Sequence, residues 1–565
     1  MTTPPHLPWA KKYPPSVDWS APLDARPLYE ILDDSARQWP DNPAFDFMGK
    51  TTTYKTLAKL VARAAKGLQN LGIKKGDRIG MFLPNTPAYP IMYYAALKIG
   101  AVVVNFNPLY AEREVERQIK DSGAIAMVTI DTPAIFDKLP PMFEKTGLKH
   151  IIVAPIADML PLRLALLYPF VKRAEIAKIP PDPRIVKIGK LLNNNGDFSP
   201  AAIDPQRDLA VLQYTGGTTG IPKGAMLTHA NLHANARQSL LSFPCIVLGE
   251  ERMLAVIPFF HVFGMTAVLN ITLLIGGKLI MLPQFALGQT VRAIDRERPT
   301  IFPAVPTIFT AINHYRDLAK FNLRSLKFCV SGGAPLPAEV KRDFEKLTGC
   351  ILVEGYGLSE TSAVTHCNPM EGENKTGSIG LPVPGTFVEI VSLEDRKTLV
   401  PQGERGELCV RGPQVMAAYW NQPQETADVL EQTPDGLRLH TGDVAYLDPD
   451  GYTFIVDRIK DMIAASGFKI YPRLVEEALY QHPSIEECAV AGVPDKYRGQ
   501  TVKAWIKLRE GQSLTADELR LFLKDRLSAI EIPKSFEFKT EPLPKTLVGK
   551  ISRKLLVEGE EKKTV

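Results

Sequence analysis

The sequence has few cysteines and no pattern that would join them. Its six cysteines lie far apart in 565 residues, and none belongs to a C-x-x-C pair. This argues against a disulfide scaffold and against a zinc site of that type. Prolines interrupt the N-terminal segment where a signal peptide would have its apolar core, so secretion is not expected. A reducing, cytoplasmic setting fits this composition best.

Long apolar runs and blocks of like charge are also missing. The most apolar region, residues 253–282, is interrupted by a proline, a histidine, an asparagine and a lysine. It therefore lacks the roughly 18 uninterrupted apolar residues of a membrane-spanning helix. The net charge of +5 is small for this length and is not concentrated in any block, so nucleic acid is not expected as a partner.

Two familiar catalytic motifs are absent as well. The GKT triplet at residues 49–51 has Ala44 where the first glycine of a P-loop should stand, and Lys223 follows Pro222 rather than glycine. Residues 357–361 read G-L-S-E-T and miss the G-x-S-x-G nucleophile motif at its last position. ATP, if it binds, must therefore bind in another way, and no serine nucleophile is predicted.

The stretch Y-T-G-G-T-T-G-I-P-K-G-A-M-L-T-H, residues 214–229, is instead rich in glycine and threonine around one lysine. Glycine lets main-chain N–H groups approach phosphate oxygens, threonine hydroxyls donate hydrogen bonds, and lysine supplies positive charge. This composition favours a phosphate-binding loop over an ordinary surface turn.

Short β-rich runs alternate with helical stretches over most of the chain, which predicts α/β layers around buried sheets. The predicted strands lie at residues 78–83, 101–106, 124–130, 150–154, 278–282 and 326–333.

The C-terminal part has a different pattern. Residues 501–508 alternate like a half-exposed strand, and Thr515 and Glu518 form a capping box before an amphipathic helix. We expect two domains, 1–459 and 460–565, of which the second is a compact α+β domain that ends in a charged, disordered tail.

Three further motifs complete a pattern. Residues 354–362, E-G-Y-G-L-S-E-T-S, place an acid between hydroxyls after a glycine-rich turn. Residues 441–472 carry several spaced charges, and residues 544–556 offer a lysine after a glycine. In this order and at these separations, the four motifs resemble those of the adenylate-forming superfamily, which includes acyl-CoA synthetases, coumarate-CoA ligases and luciferases. The resemblance covers residues 28–556.

This resemblance implies the fold of that superfamily, with a large multi-subdomain N-terminal α/β domain and a small mobile α+β C-terminal domain. It also implies an ATP-dependent ligase. A carboxylate is joined to the α-phosphate of ATP, giving an acyl-adenylate and pyrophosphate, and a thiol then displaces AMP. ATP, Mg²⁺ and CoA are the implied cofactors and co-substrates. Such chemistry depends on positioning and charge neutralisation rather than on a protein nucleophile.

The resemblance also implies roles for single residues. The β- and γ-phosphates would be held by Thr215, Gly216, Gly217, Thr218, Thr219, Gly220 and Lys223. The adenine and α-phosphate would be lined by Gly333, Glu354, Gly355, Tyr356 and Ser359. Thr215 and Glu360 would hold Mg²⁺, a hard cation that prefers oxygen ligands. Asp443 would accept hydrogen bonds from two ribose hydroxyls, with Arg458 supporting it.

The C-terminal domain supplies the remaining implied roles. Lys550 would donate to the carboxylate and to the bridging oxygen during adenylation, which makes it a catalytic residue together with Thr215, Lys223 and Glu360. Lys460, also in the nucleotide-binding set, lies where the family's C-terminal domain pivots. Ser466, Gly467 and Phe468 resemble the loop that faces CoA. Ala464 stands where some relatives carry a lysine, so the number of basic contacts there stays open.

The acyl group would lie near residues 258–264, P-F-F-H-V-F-G. His261 is either a satisfied core histidine or, by the resemblance, the mouth of an acyl pocket that includes Val262 and Met265. This segment lacks the acidic residue that amino-acid-activating relatives use, which favours a hydrophobic acid. Residues 155–185 resemble the insertion of bacterial long-chain fatty acid-CoA ligases and favour a long-chain acid.

Other functions stay open at this point. A medium-chain or aromatic acid could be the substrate, or the acyl group could pass to a carrier protein instead of CoA. A catalytically silent binding protein is disfavoured because all the charged motif residues are present. The oligomeric state is open between monomer and homodimer.

Residues 159–178 combine apolar bulk with four basic side chains, which is typical of a segment that lies on a membrane surface. Pro161 and Pro169 limit any helix there to a couple of turns. We expect reversible docking through this segment at the inner face of the cytoplasmic membrane. The rival interpretation is an apolar hairpin that packs on the protein's own core.

Overall fold

The computed structural model describes residues 7–215, 222–465, 468–495, 499–545 and 551–564. The chain divides into two compact units. The first comprises Met1–Phe387 and Val410–Leu439, and the second comprises Val388–Cys409 and His440–Val565. The predicted boundary between residues 459 and 460 concerns a hinge and stays a prediction.

The β-strands of the described chain are as follows: β1 (Pro43–Phe47), β2 (Lys50–Thr53), β3 (Arg78–Phe82), β4 (Val102–Asn105), β5 (Ala124–Ile130), β6 (His150–Ala154), β7 (Ile185–Lys187), β8 (Leu209–Thr215), β9 (Lys223–Thr228), β10 (Arg252–Ala255), β11 (Lys278–Met281), β12 (Ile301–Ala304), β13 (Phe328–Ser331), β14 (Ile351–Leu358), β15 (Ala363–Cys367), β16 (Leu381–Pro382), β17 (Phe387–Val391), β18 (Gly406–Arg411), β19 (Leu430–Thr433), β20 (Gly436–Leu447), β21 (Thr453–Arg458), β22 (Ile463–Ala465), β23 (Phe468–Ile470), β24 (Ile485–Asp495), β25 (Gly499–Leu508) and β26 (Ser535–Lys539).

The α-helices are as follows: α1 (Glu30–Gln38), α2 (Tyr54–Asn70), α3 (Ala88–Lys98), α4 (Glu112–Ser122), α5 (Pro133–Phe136), α6 (Met142–Lys145), α7 (Ile156–Met159), α8 (Leu162–Val171), α9 (Ile188–Leu191), α10 (His229–Ser242), α11 (Ile271–Leu274), α12 (Leu287–Glu297), α13 (Pro306–Asn313), α14 (Ala338–Thr348), α15 (Pro423–Val429), α16 (Pro472–Tyr480), α17 (Ala516–Lys524) and α18 (Arg553–Thr564).

A seven-stranded sheet in the first unit has the strand order β7-β6-β5-β3-β4-β8-β9. All its pairs are parallel except β8 with β9. Phe82, Met127 and Leu212 belong to the buried cluster on this sheet. Parallel strands covered on both faces need apolar side chains on both, so they form continuous apolar runs. The four N-terminal runs predicted from the sequence are confirmed as β3, β4, β5 and β6.

A nine-stranded sheet in the same unit has the order β16-β15-β14-β13-β12-β10-β11-β1-β2. The strands from β14 to β1 are parallel, and antiparallel strands extend the sheet at both ends. The predicted runs at residues 278–282 and 326–333 form β11 and β13. Strand β13 ends at Ser331, which pairs with Glu354 in the middle of β14, so the glycines after β13 follow beside the second half of β14.

The second unit contains a five-stranded sheet in which β25 lies between β24 and β22, β23 pairs with β22, and β26 pairs with β25. Val502, Ala504 and Ile506 point into a core shared with α16 and α17. The predicted capping box is confirmed, because Thr515 accepts from the Glu518 N–H while the Glu518 carboxylate accepts from Thr515.

Two expectations for this unit were wrong. Strand β25 is not half-exposed, because Trp505 on its second face is buried against Leu543 and Leu556. The C-terminal tail is not disordered through its described length, because α18 continues to Thr564. An ion pair between Glu560 and Lys503 fixes this helix to the sheet.

Helix α8 carries an apolar surface that the protein itself does not cover. Leu162, Leu166 and Phe170 are 76%, 65% and 84% exposed. The segment therefore does not pack on the core as an apolar hairpin would, and burial is confined to its flanks, at Met159, Leu160 and Ala177. No helix among the described residues has both the length and the apolar character needed to span a bilayer.

Candidate active site

The predicted phosphate-binding loop joins two paired strands. The register of β8 with β9 places Thr215 directly opposite Lys223. Between them, Gly216, Gly217, Thr218, Thr219 and Gly220 lie outside the described residues. The two described ends of the loop are thus adjacent.

Lys223 has partners that no motif indicates. Its Nζ forms an ion pair with Glu425 and lies 5.2 Å from the centre of the Tyr419 ring. The segment that carries Tyr419 runs beside β9, since the Trp420 N–H donates to the Gly224 carbonyl at 2.8 Å. Lys223 is therefore held between a carboxylate and an aromatic face, both of which attract its positive charge.

Tyr419 also contacts Glu360. Glu360 lies in a 3-10 turn, Ser359–Thr361, directly after β14. The Tyr419 hydroxyl donates to Glu360 Oε1 at 2.6 Å, and the Met416 N–H donates to the Glu360 carbonyl at 2.8 Å. Tyr419 thus connects Glu360 with Lys223. Sequence reasoning missed Tyr419 and Glu425, because Tyr419 forms only an isolated bridge with Ala225 and Glu425 lies on α15, and both are remote from β9 in the chain.

The residues predicted to line the adenine lie at one edge of the nine-stranded sheet. Ser331, the last residue of β13, pairs with Glu354 within β14, so Gly333 follows β13 while Gly355 continues the neighbouring strand. Gly333 has φ +81°, which glycine adopts without a Cβ penalty.

Tyr356 pairs with His366 across β14 and β15, with 5.9 Å between the ring centres. Complete burial lowers the pKa of His366 to about 3, so this neighbour of Tyr356 is neutral. Ser359 opens the turn that carries Glu360. Of the five predicted adenine residues, one therefore follows β13, three lie on the adjacent strand β14, and one begins the turn after β14.

The predicted acyl-pocket residues begin a π-helix, Phe263–Asn270. His261 is half-buried before it, and its Nδ1 accepts from the Phe263 N–H at 3.3 Å. Val262 and Met265 are buried. A Cβ on Gly264 would lie 2.1 Å from the Pro258 carbonyl oxygen, so only glycine permits this path. Short π-helical segments recur at functional sites.

In the second unit, Asp443 and Arg458 lie opposite each other on β20 and β21. Arg458 Nε is 2.9 Å from Asp443 Oδ1, and the Asp443 side chain is almost fully buried. A buried carboxylate needs a charged partner, and Arg458 provides one for Asp443. The predicted pairing of these two residues is present.

The remaining predicted residues are only partly described. Lys460 lies in a 3-10 turn, Ile459–Asp461, and burial lowers its pKa from the ordinary value. Phe468 is exposed at the start of β23. Ser466, Gly467 and Lys550 lie outside the described residues.

Arg553, three residues after Lys550, anchors the segment that follows the predicted catalytic lysine. Its guanidinium contacts Glu476 at 2.6 Å and both Asp457 and Asp461 at 3.2 Å. Burial alone would lower the pKa of Arg553, but these carboxylates raise it above its ordinary value. Arg553 therefore connects the start of α18 to residues on both sides of Lys460.

Two family models match the chain. The model described as AMP-binding enzyme matches residues 32–420, and the model described as AMP-binding enzyme C-terminal domain matches residues 474–550. Together they include both compact units in part.

Curated relatives match nearly the whole chain. A long-chain-fatty-acid–CoA ligase from Bacillus subtilis (strain 168) is 44% identical over 556 residues, which cover 98% of each chain. A protein of the same name from Escherichia coli O6:H1 is 37% identical and covers 97% of each chain. A feruloyl-CoA synthase from an Amycolatopsis species is 37% identical over 91% of this chain and 95% of its own length.

Solved structures share the fold. The ATP-bound crystal structure of MatB from Rhodopseudomonas palustris aligns with a TM-score of 0.83 at 26% identity, covering 95% of this chain and 99% of its own. The motifs, the mixed α/β architecture and the full-length relatives agree with one another. The chain belongs to the AMP-binding enzyme family, the adenylate-forming superfamily that its motifs resemble.

Proposed function

We propose that this protein activates a long-chain fatty acid with ATP, through an acyl-adenylate, to its CoA thioester, releasing AMP and pyrophosphate. The full-length similarity to long-chain-fatty-acid–CoA ligases carries the proposal, because it extends through both the AMP-binding region and the C-terminal region. The site geometry of each unit is compatible with it.

The β- and γ-phosphates bind at the loop between Thr215 and Lys223, with the main-chain and hydroxyl donors of residues 216–220. The Lys223 ammonium, now paired with Glu425, offers its charge to the phosphates. A polyphosphate carries more charge than one carboxylate, so it competes effectively for this lysine.

Mg²⁺ fits the same region, because Thr215 and Glu360 offer a hydroxyl and a carboxylate oxygen. The turn that carries Glu360 contacts both β8 and β9, the strands on either side of the loop. The ion would neutralise phosphate charge there, while Tyr419 orients the Glu360 carboxylate through Oε1.

The nucleoside is recognised by two groups of residues. Gly333, Glu354, Gly355, Tyr356 and Ser359 line the adenine and the α-phosphate. Asp443 accepts hydrogen bonds from the ribose hydroxyls, and Arg458 orients the Asp443 carboxylate.

The C-terminal domain, residues 460–565, serves the two half-reactions in turn. Lys550 stabilises the negative charge that develops on the reacting oxygens during adenylation. The domain then pivots at Lys460 and presents Ser466, Gly467 and Phe468 to CoA. The exposed ring of Phe468 suits such a surface.

The acyl chain enters past His261 and contacts Val262 and Met265. Both contacts are buried and apolar, which suits a hydrocarbon chain. An aromatic acid is the second candidate, because the Amycolatopsis relative is named for feruloyl-CoA. Medium-chain acids and transfer to a carrier protein are further alternatives that the same assay separates.

The test is incubation with ATP, Mg²⁺ and CoA and a panel of acids from acetate to oleate, with ferulate added. AMP and thioester are measured for each acid. We expect both products to form fastest with long-chain acids. Fastest turnover with ferulate would replace the substrate class, acyl-adenylate without thioester would favour a carrier-protein ligase, and no product with any acid would overturn the proposal.

We also propose that the protein makes reversible contact with a membrane surface through residues 159–178. The exposed apolar side chains of α8 lie beside exposed basic side chains at Arg163, Arg173 and Lys178. Apolar bulk next to positive charge suits anionic lipid. An enzyme at the inner face of the cytoplasmic membrane would meet long-chain acids where they partition.

A further inference from the structure

A buried carboxylate supports the part of β20 that carries Asp443. Glu407, on β18, is fully buried. Its oxygens accept hydrogen bonds from Arg396 Nε at 2.8 Å, from His440 Nδ1 at 3.0 Å and from the Gly442 main-chain N–H at 3.1 Å. The last of these bonds reaches the residue directly before Asp443.

Glu407 is held as an anion despite its burial. Burial alone would raise its pKa, but the hydrogen bonds from His440 and Arg396 outweigh burial and lower the pKa to about 2. A buried anion costs free energy unless it is paired and hydrogen-bonded, so the loss of any of these donors would destabilise the charged carboxylate of Glu407.

The same side chains could be mistaken for a metal site. Ligand-type atoms of Glu407, Cys409 and His440 lie within 4.8 Å of one another. However, the Arg396 guanidinium contacts both Glu407 oxygens, at 2.8 and 3.1 Å. A cation there would meet a fixed positive charge, so the group is better described as an ion-pair network.

Strand β20 has an irregular backbone next to this network. Gly442 interrupts β20 with φ +73°, a left-handed conformation that glycine adopts at no steric cost. The Thr441 hydroxyl donates to the Leu408 carbonyl at 2.8 Å and accepts from the Asp443 N–H at 3.1 Å. Glycine has more backbone freedom than other residues, so the hydrogen bond from the Gly442 N–H to Glu407 restrains the conformation at this point.

We infer that Glu407 is a positioning residue for ribose recognition: through the Gly442 N–H it holds the Asp443 carboxylate where the two ribose hydroxyls of ATP can donate to it. This inference rests on the proposed function, in which Asp443 binds the ribose. It adds that selectivity for a ribonucleotide depends on a residue that touches no substrate.

The experiment measures the preference for ATP over 2′-deoxy-ATP, as the ratio of their kcat/KM values with oleate. In Glu407→Gln, the single amide oxygen cannot accept from Arg396, His440 and the Gly442 N–H as the two carboxylate oxygens do. The backbone next to Asp443 is therefore held less firmly. We expect this preference to fall by about tenfold or more, the scale of one lost hydrogen bond to a charged group. The exposed Glu404→Gln, three residues away, is the matched control and should keep the parent ratio.

A merely structural role would lower kcat/KM for both nucleotides equally and leave the ratio unchanged, which would overturn the inference. Asp443→Asn is measured in parallel. If Asp443→Asn also leaves the ratio unchanged, the ribose role of Asp443 in the proposed function fails. If Asp443→Asn lowers the ratio and Glu407→Gln does not, only the positioning role fails.

A second variant covers the case in which Glu407→Gln does not fold. Arg396 is 45% exposed, so Arg396→Gln removes one partner of Glu407 and leaves the core intact. We expect a smaller fall in the ATP preference than in Glu407→Gln, because His440 and the Gly442 N–H still donate to Glu407. An unchanged preference in this folded variant would also overturn the inference.

Discussion

Tyr419 contacts two residues on which phosphate binding is proposed to depend. Its hydroxyl donates to Glu360, and its ring faces the Lys223 ammonium. The two interactions use different parts of the side chain, so they can be separated by one substitution.

Tyr419→Phe keeps the ring under Lys223 and removes the hydrogen bond to Glu360. A hydrogen bond to a charged group contributes about 1.5 to 3 kcal/mol, which corresponds to roughly ten- to hundredfold in rate. We expect adenylation, measured as pyrophosphate release with oleate, to slow by this factor. Thioester formation from supplied acyl-AMP should be unchanged.

Tyr446→Phe is the control, because Tyr446 stacks on Phe454 in the second unit and belongs to no proposed site. It should leave both half-reactions at the parent rate. Normal adenylation by Tyr419→Phe would show that Glu360 does not need this orientation.

At the residue scale, the sequence identifies the motif positions and misses their partners. Thr215, Glu360 and Asp443 are identifiable because their motifs are local in the chain. Tyr419 and Glu407 cannot be identified in this way, because each contacts residues that are remote in the chain. One sequence does not show which remote segments lie side by side. The motifs identify the carboxylates of Glu360 and Asp443, but they do not identify the hydrogen-bond donors that orient these carboxylates.

Helix α8 departs from the usual arrangement of an amphipathic helix. Its leucines at positions 162, 164, 166 and 167 are all exposed, so apolar side chains surround much of the helix rather than one core-facing stripe. Ten residues extend only about 15 Å, far less than a bilayer. Such a helix is suited to lie in a membrane interface.

Changing Leu164, Leu166 and Leu167 to serine should abolish co-sedimentation with anionic liposomes. Burying their exposed area in lipid contributes on the order of 3 to 5 kcal/mol before ordering costs, which is enough for weak association when basic residues add to it. Because these side chains are exposed, the variant should keep its melting temperature and its activity on a water-soluble acid.

Leu399, Leu521 and Leu555 changed to serine provide a matched control, since all three are exposed elsewhere on the chain. That variant should bind liposomes like the parent. Liposome binding that is absent in the parent, or equal in both variants, would remove the membrane proposal.

At the element scale, prediction succeeds where the residues of an element themselves indicate which of its faces are buried. The apolar runs of β3 to β6 are correctly read as buried strands, because both faces are apolar. The second face of β25 is misjudged, because Trp505 is covered by α18, which lies far along the chain. The charged residues of α18 suggest disorder, although Leu556 and Glu560 fix the helix to the sheet.

Across the whole molecule, Arg553 bears on the proposed pivot at Lys460. Asp457 precedes the predicted boundary and Asp461 follows it, and Arg553 contacts both. A rotation of the backbone at Lys460 would change the separation of these two carboxylates. Arg553 could then keep Asp461 and Glu476 but would exchange Asp457 for solvent, so this ion pair favours one of the two states.

The two half-reactions should therefore respond in opposite ways to two substitutions. Lys550→Ala should slow adenylation about a hundredfold or more, the scale of losing one preorganised donor, and should spare thioester formation from supplied acyl-AMP.

Lys460→Pro fixes φ at the pivot, so it should slow thioester formation from supplied acyl-AMP and spare adenylation. Lys460→Ala separates loss of the side chain from loss of backbone rotation, and the exposed Lys554→Ala is the control for Lys550. Equal loss in both half-reactions for Lys550→Ala would refute domain alternation, and an unchanged thioesterification rate in Lys460→Pro would place the pivot elsewhere.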